Sequence, residues 1–203
     1  MEPWQPPKNI KTLAGVDEVG RGPLAGDVVT AAVILPAGHT INGLADSKVL
    51  TAHQRKSLFK DIIEQAICYS VARATVEEID RYNILQSTMM AMRRAVKSLS
   101  VQPDYVAVDG NRLPQWEYAG EAVVKGDGRV EVISAASIIA KVVRDEEMVD
   151  LDKQYPGYGF SKNKGYGTAQ HLEALKRLGA TPIHRRTFSP VSDYLKPEQQ
   201  TLL

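Results

Sequence analysis

The sequence predicts a mixed α/β sheet, and three observations predict it. Two apolar, β-branched runs, residues 13–19 and 28–35, stand close together across a glycine-rich connection, which reads as an antiparallel pair. Farther along, strand-like runs alternate with amphipathic stretches of helix length, the order that places parallel strands in the same sheet. The chain has 203 residues, 43% of them hydrophobic and 24% charged, enough to bury a core without disulfides or a structural metal.

The elements follow in order. Apolar residues at 58/59, 62/63 and 66/67 predict one helical face ending near Cys68, and a strand is expected over 69–75. Thr75 stands three residues before Glu78, a capping-box pattern that opens a long helix. Ile79, Tyr82, Leu85, Met89, Met92, Val96 and Leu99 are expected to hold that helix on the core, with the methionines as packing residues. Pro103 ends it, and residues 105–108 read as a buried strand parallel to the first, because a helix connects them. A short strand is expected at 121–124 and a helix rich in small residues at 133–148. Residues 155–167, with four glycines, read as loop. Thr168 is placed to cap a last helix stopping at Gly179, and 190–203 reads as a weakly ordered tail. The expected organisation is one domain over 1–203, with its sheet and helices in about 13–150, a basic substrate-binding part at 151–190 and the tail from 191.

Several classes of function are excluded at once. Cys68 is the only cysteine, which rules out an internal disulfide and a cysteine-based zinc site and fits a reducing compartment. No apolar run approaches the roughly 18–20 residues needed to span a bilayer, and the N-terminus lacks the basic-then-apolar order of a signal peptide. The expectation is a soluble cytoplasmic protein, monomeric, with no membrane partner.

The net charge of +1 hides an asymmetry. Residues 1–152 carry 17 basic and 21 acidic side chains, whereas 153–186 carry seven basic ones, among them Lys162, Lys164, Arg185 and Arg186, against Glu173 alone. Tyr155, Tyr158, Phe160, Tyr166 and Phe188 are interleaved with them. Cations for phosphate and rings for sugars or bases make a nucleic-acid surface, although a solvated loop and a Lys-rich helix face have the same composition.

Acidic residues beside glycine mark three expected strand ends: Asp17-Glu18 before Val19-Gly20, Asp109 before Gly110, and Asp127 between Gly126 and Gly128. Parallel strands bring Asp17 and Asp109 to one crevice at their carboxyl ends, where open α/β sheets bind ligands. Two carboxylates about 4 Å apart repel by about 4 kcal/mol at an effective dielectric of 20, so a cluster suits a cage for Mg²⁺ or Mn²⁺, which prefer oxygen ligands. Each acid taken singly also fits ordinary turn chemistry. Asp17 and Glu18 share a site only if the strand bends or ends there, since neighbours on a flat strand face opposite ways. His39, His53 and His171 read as surface residues and His184 as part of a basic loop. The run Gly20-Arg21-Gly22-Pro23-Leu24-Ala25-Gly26 has one residue too many for a dinucleotide fingerprint, which also requires a helix after the glycines where residues 28–35 look like strand. A nucleic-acid-binding module without turnover is the other rival.

Residues 14–26, Ala-Gly-Val-Asp-Glu-Val-Gly-Arg-Gly-Pro-Leu-Ala-Gly, resemble the N-terminal signature of the bacterial ribonuclease HII family. Asp46-Ser47-Lys48, Val108-Asp109-Gly110-Asn111, Lys125-Gly126-Asp127, the segment Ile133 to Lys141, Lys164-Gly-Tyr-Gly-Thr168 and His184-Arg-Arg-Thr-Phe188 resemble further motifs in the same order, over about 13–190. Departures are Val49, where a second lysine is common, Gly128, where Ser or Ala is usual, and Asp27, where the family has a small or apolar residue. The resemblance implies a ribonuclease H-like mixed five-stranded sheet flanked by helices, with a helical C-terminal extension. It implies divalent-metal hydrolysis of the RNA strand of RNA/DNA hybrids and of duplex DNA at embedded ribonucleotides, leaving 5′-phosphate and 3′-hydroxyl ends. Asp17, Glu18, Asp109 and Asp127 then fall on the metal-binding carboxylates. Gly20, Arg21 and Gly22 fall on the loop that contacts the 2′-hydroxyl, and Tyr166 on the tyrosine that reads the adjoining deoxyribose. Lys48, Lys162 and Lys164 are the remaining expected substrate contacts. Glycines suit such a loop, because reading a 2′-hydroxyl needs backbone donors free of side-chain clash.

Overall fold

The computed structural model describes residues 4–195. Strands β1 (Leu13–Val19), β2 (Val28–Ile34), β3 (Cys68–Ala74), β4 (Tyr105–Asp109) and β5 (Gly120–Val123) form one sheet in the order β3-β2-β1-β4-β5. β1 pairs antiparallel with β2 and parallel with β4; β2 pairs antiparallel with β3, and β4 parallel with β5. The expected mixed sheet is the observed one, with helices on both faces.

Every residue of β2 is buried, because both faces of the sheet are covered. Val29, Ala31 and Val33 face helix α1 (Ala52–Gln65) and helix α3 (Glu131–Gln154). Ala32 and Ile34, with Ala14 and Val16 of β1, face helix α2 (Val76–Lys97) through Met92, Ala95 and Val96, and Leu99 just beyond its end. The C-terminal part packs around Phe160, which opens the one-turn helix α4 (Phe160–Asn163), and around Leu175 of helix α5 (Ala169–Leu178).

Local chemistry explains the boundaries. Thr75 caps α2 by the expected reciprocal box with Glu78, and Thr168 caps α5 by accepting from the His171 N–H. α1 begins earlier than its apolar face shows, because Thr51 and Gln54 form a second capping box. α3 runs longer than expected at both ends, and α4 interrupts the expected 155–167 loop.

α2 differs from expectation inside. Asn83 has φ 66° and ψ 164°, and its Oδ1 accepts from the N–H groups of Leu85 and Gln86, so it starts a second helical segment. Tyr82, the last residue before the break, is exposed although its spacing from Ile79 predicts core. The expected tail is also corrected at its start. Val191 and Leu195 are buried against the C-terminal cluster, because both are apolar and a 3-10 turn over Val191–Tyr194 folds them back. Residues 196–203 lie outside the described residues.

Gly15 fixes the distance between β1 and α3. A Cβ there would lie 2.1 Å from the carbonyl carbon of Val132 and 2.4 Å from the Ile133 nitrogen. Only glycine allows the first turn of α3 to rest on the strand backbone. The small residues that follow, Ser134, Ala135, Ala136 and Ser137, keep the helix close to the end of the strand that carries the acids.

Candidate metal centre

Val16 of β1 is paired with Val108 of β4 as the last residues in their parallel register, and each is followed by an aspartate. Asp17 and Asp109 therefore leave adjacent strand ends side by side. The chain beyond β5 turns through Lys125, at φ 56°, into a 3-10 turn over Gly126–Gly128 that carries Asp127 to the same place. Asp109 Oδ1 holds this turn, accepting from Gly126 N at 2.7 Å and Asp127 N at 3.3 Å. One carboxylate oxygen from each of Asp17, Asp109 and Asp127 lies within 4.8 Å of the others.

Glu18 stays outside that group. β1 runs straight through it to Val19, so its side chain leaves the other face and accepts from Arg21 Nη1 at 3.3 Å. It is nevertheless close enough for its charge to be felt.

The electrostatics are those of carboxylates crowded away from water. Burial, then the neighbouring charges of Glu18 and Asp109, push Asp17 well above the ordinary carboxylate range, against a hydrogen bond from Ser137. Burial pushes Glu18 up to about 7, with Arg21 opposing and Asp109 adding to the rise. Asp109 is raised by burial and then by Asp127, partly offset by its two backbone N–H donors. Burial tends to lower the Lys48 ammonium, but Asp127 at 3.3 Å and Asp46 at 3.9 Å outweigh it, and the pKa is raised.

This donor set fits a hard divalent cation. All the oxygens are carboxylate, no soft ligand intrudes, and two of the three aspartates hold a proton more tightly than an ordinary carboxyl, a shift that added positive charge would oppose. Asp17, Asp109 and Asp127 are thus brought together as expected, with Lys48 against them.

The glycine-rich loop lies beside the acids. Gly20 has φ 94°, and a Cβ on it would sit 2.2 Å from Arg144 Nε, so both conformation and space require glycine. Arg21 and Gly22 are exposed. The loop leads into β2, a strand, which excludes the dinucleotide-binding reading. A Cβ on Gly22 would lie 3.3 Å from Tyr166 Cε1, so the tyrosine ring, 48% exposed, stands directly against the loop. Lys162 is exposed beyond it, while Lys164 is half-buried, with Nζ donating to the Asp145 carbonyl at 3.2 Å.

The basic segment is only partly a surface. Arg185 is fully buried and donates to the carbonyls of Gly20, Arg21, Pro23 and Gly26. Arg144 of α3 does the same for Ala25, Asp27 and Lys164. Backbone bonds from Leu24 N to Gly165 O, Gly26 N to Ile183 O and Arg185 N to Leu24 O join the same three segments. Two guanidiniums thus mould the loop from below, because ten N–H donors suit carbonyls that would otherwise be buried unpaired. Tyr158 and Phe160 are stacked core residues rather than surface rings, and His171 and His184 are fully buried rather than exposed. Sequence reasoning also passed over Ser137 and Ser47, whose hydroxyls are 2.8 Å apart behind Asp17; they belong to the 133–141 and 46–48 segments.

Asp27 has a structural cost. Its Oδ1 accepts from Val76 N at the start of α2, at 3.2 Å, but burial and then the charge of Glu147 push its pKa up to about 6. Ionisation at neutral pH therefore works against the fold, whereas below the ordinary carboxyl range both folded and unfolded chains are protonated. Asp27→Asn, which can keep the bond to Val76, is expected to stabilise the protein at pH 7 by about 1–2 kcal/mol after allowance for solvent screening. The gain should fade as pH drops from about 6 to about 4, in melting curves of both proteins; a gain independent of pH would contradict this account.

Among the described residues no helix is long and apolar enough to cross a membrane. The ribonuclease HII family profile matches residues 14–191. The Ribonuclease HII of Paracidovorax citrulli (strain AAC00-1) is 60% identical over 190 residues, covering 94% of this chain and 78% of its own. Among solved structures, the ribonuclease H2 from Pyrococcus horikoshii OT3 superposes with a TM-score of 0.77 at 32% identity, over 90% of this chain and 96% of that one. The RNase HII of Archaeoglobus fulgidus, solved in a complex with PCNA, shares the fold, with a TM-score of 0.70 at 24% identity over 88% and 95% of the two chains.

Proposed function

Because the chain belongs to the ribonuclease HII family, and is thus a ribonuclease H endonuclease for RNA/DNA hybrids, we propose that it also cuts duplex DNA at single embedded ribonucleotides. The observation that carries this reading is the meeting of three elements: the aspartate triad, an exposed loop with bare backbone at Gly22, and an exposed tyrosine ring against that loop.

Mn²⁺ or Mg²⁺ would be held by Asp17, Asp109 and Asp127; Glu18, the fourth carboxylate that the family resemblance implies, would have to leave Arg21 to join them. When bound, such ions supply a water of lowered pKa and positive charge on both sides of an in-line displacement at phosphorus. The chain's own part is positioning. Ser137 and the Glu18 N–H fix the Asp17 carboxylate, Gly126 and Asp127 N–H groups fix Asp109, and Lys48 holds Asp127 while presenting an ammonium to phosphate. In this reading Arg21 and Gly22 offer backbone donors to the 2′-hydroxyl, which distinguishes RNA from DNA. The Tyr166 ring meets the next deoxyribose, where a 2′-hydroxyl would crowd it, and Lys162 and Lys164 flank it on the phosphates. Hydrolysis at the 3′-oxygen of the leaving strand gives 5′-phosphate and 3′-hydroxyl ends. All these groups belong to one chain, which supports action as a monomer.

A labelled DNA duplex with one ribonucleotide, incubated with Mn²⁺, Mg²⁺ or EDTA and resolved on a denaturing gel, tests the proposal. Metal-dependent scission at the ribonucleotide is expected; binding without scission in any metal would return the chain to hybrid substrates alone. Tyr166 gives a finer check. Tyr166→Phe keeps the ring and is expected to lose about fivefold in kcat/KM, one hydrogen bond's worth. Tyr166→Ala is expected to lose on the order of tenfold or more at a single ribonucleotide and less on a long hybrid. An alanine variant that melts early yet cuts both substrates normally would make Tyr166 a packing residue only.

A further inference from the structure

Beneath Tyr166 lie two buried histidines for which the metal chemistry has no use. His171 of α5 and His184 are both fully buried, with their Nε2 atoms 3.0 Å apart. Their protons are fixed by the partners. Thr181 N donates to His184 Nδ1 at 2.9 Å, so that nitrogen accepts, and the one proton of a neutral ring is on Nε2. His184 Nε2–H then donates to His171 Nε2, which leaves the His171 proton on Nδ1. That N–H donates to the Tyr166 carbonyl at 2.9 Å. Each ring has one donor and one acceptor, both engaged.

The surroundings keep the pair neutral. The Tyr158 ring lies 5.1 Å from His184 and the Phe160 ring 5.2 Å from His171. Thr181 faces His184 from its own turn, and the Tyr158 hydroxyl is given to the Gly179 carbonyl. Arg177 acts on Tyr158, and Arg185 turns into the 20–26 loop. Burial, then the field of its partner, lowers His184 to about 3, and burial lowers His171 as well. The relay therefore stays intact across neutral pH.

We propose that His171 and His184 are positioning residues for recognition at the ribonucleotide–deoxyribonucleotide junction, fixing the Tyr166 main chain so that its ring stays against Gly22. Arg144 holds the Lys164 carbonyl and Leu24 N the Gly165 carbonyl, whereas the main chain of Tyr166 itself is otherwise held by short-range bonds, Tyr166 N to Asn163 O and Thr168 N to Tyr166 O. The histidine relay is what ties the Tyr166 carbonyl to the C-terminal segment, and the same segment shapes the Gly20–Gly26 loop through Arg185. Both walls of the junction site thus refer to one frame. The inference rests on the reading that Tyr166 meets the deoxyribose.

Two substitutions separate positioning from packing, because each keeps a different half of the imidazole. An asparagine at 171 reproduces the Nδ1–H donor to Tyr166 and gives up the contact with His184; a glutamine reproduces the contact with His184 and gives up the donor. Both disturb the same buried site. His171→Gln is expected to raise KM about fivefold at a single embedded ribonucleotide, the worth of one hydrogen bond, with kcat and long-hybrid cleavage within about twofold. His171→Asn is expected to keep the wild-type ratio of the two substrates. Equal ratios for wild type and both variants, with Tyr166→Ala shifting its ratio in parallel, would overturn the inference alone. An unchanged ratio in Tyr166→Ala as well would overturn the reading of Tyr166 and the inference with it. The unsubstituted protein offers a check independent of folding: without divalent metal, the His171 Nδ1–H proton resonance should shift on adding a DNA duplex with one ribonucleotide and stay in place with an all-DNA duplex. Identical behaviour with both duplexes would contradict the proposal.

Discussion

Asp17→Asn is expected to lower the rate of strand scission by on the order of a thousandfold, a far larger loss than that of Tyr166→Ala. Asp17 is the most deeply buried of the three aspartates brought together, and it lies between Asp109 on the next strand and Ser137 on α3. An amide in its place offers one neutral oxygen where a hard cation needs an anionic one, so metal affinity and charge stabilisation are lost together. The fold should not suffer. Burial and two like-charged neighbours disfavour a charge at Asp17, and an amide carries none. Duplex binding should hold or tighten, since a negative charge facing phosphate is gone. Single-turnover cleavage, a binding isotherm in EDTA and a melting curve of the same preparation check the three parts. Near-normal cleavage with intact stability would exclude the triad as the reacting centre.

Gly15→Ala is expected to have the largest effect on stability, a loss of at least about 3 kcal/mol. The new methyl would meet backbone, at 2.1 and 2.3 Å from the carbonyl carbon and oxygen of Val132, and no rotamer can move it away. Either β1 or the first turn of α3 must shift, which moves Ser137 from Asp17. Urea unfolding measures the loss. Excess Mn²⁺ should restore part of the stability by mass action on the folded state, while cleavage stays low because the Asp17 carboxylate is displaced. Wild-type stability in the alanine variant would mean that the strand and helix do not touch at Gly15.

How far the sequence discloses this molecule depends on what each signal encodes. The alternating strands and helices, the Thr75–Glu78 cap, the stop at Gly179 and the convergence of Asp17 with Asp109 were all legible, because each rests on local pattern or on parallel strand order. Glu18 was legible only in its ambiguity: a continuing strand sends it to the other face, towards Arg21. The break at Asn83 is invisible to periodicity, since an asparagine in mid-helix also fits a solvent-facing residue. Charge composition misled in the C-terminal segment. It counts Arg185 with Lys162, although one lies in a nest of carbonyls and the other in water, and nothing in a run of charges records which way a side chain points. The histidine pair escaped for the same reason. His171 and His184 are 13 residues apart, and only the packing of α5 on the 181–184 turn makes them partners.

The most direct test of the central claim is the location of Mn²⁺ by anomalous diffraction from crystals soaked in the ion. The account predicts anomalous density among the carboxylates of Asp17, Asp109 and Asp127, and its weakening or loss in crystals of Asp17→Asn. Density that lies elsewhere in the wild-type protein, or that keeps full strength among these residues in Asp17→Asn, would contradict it.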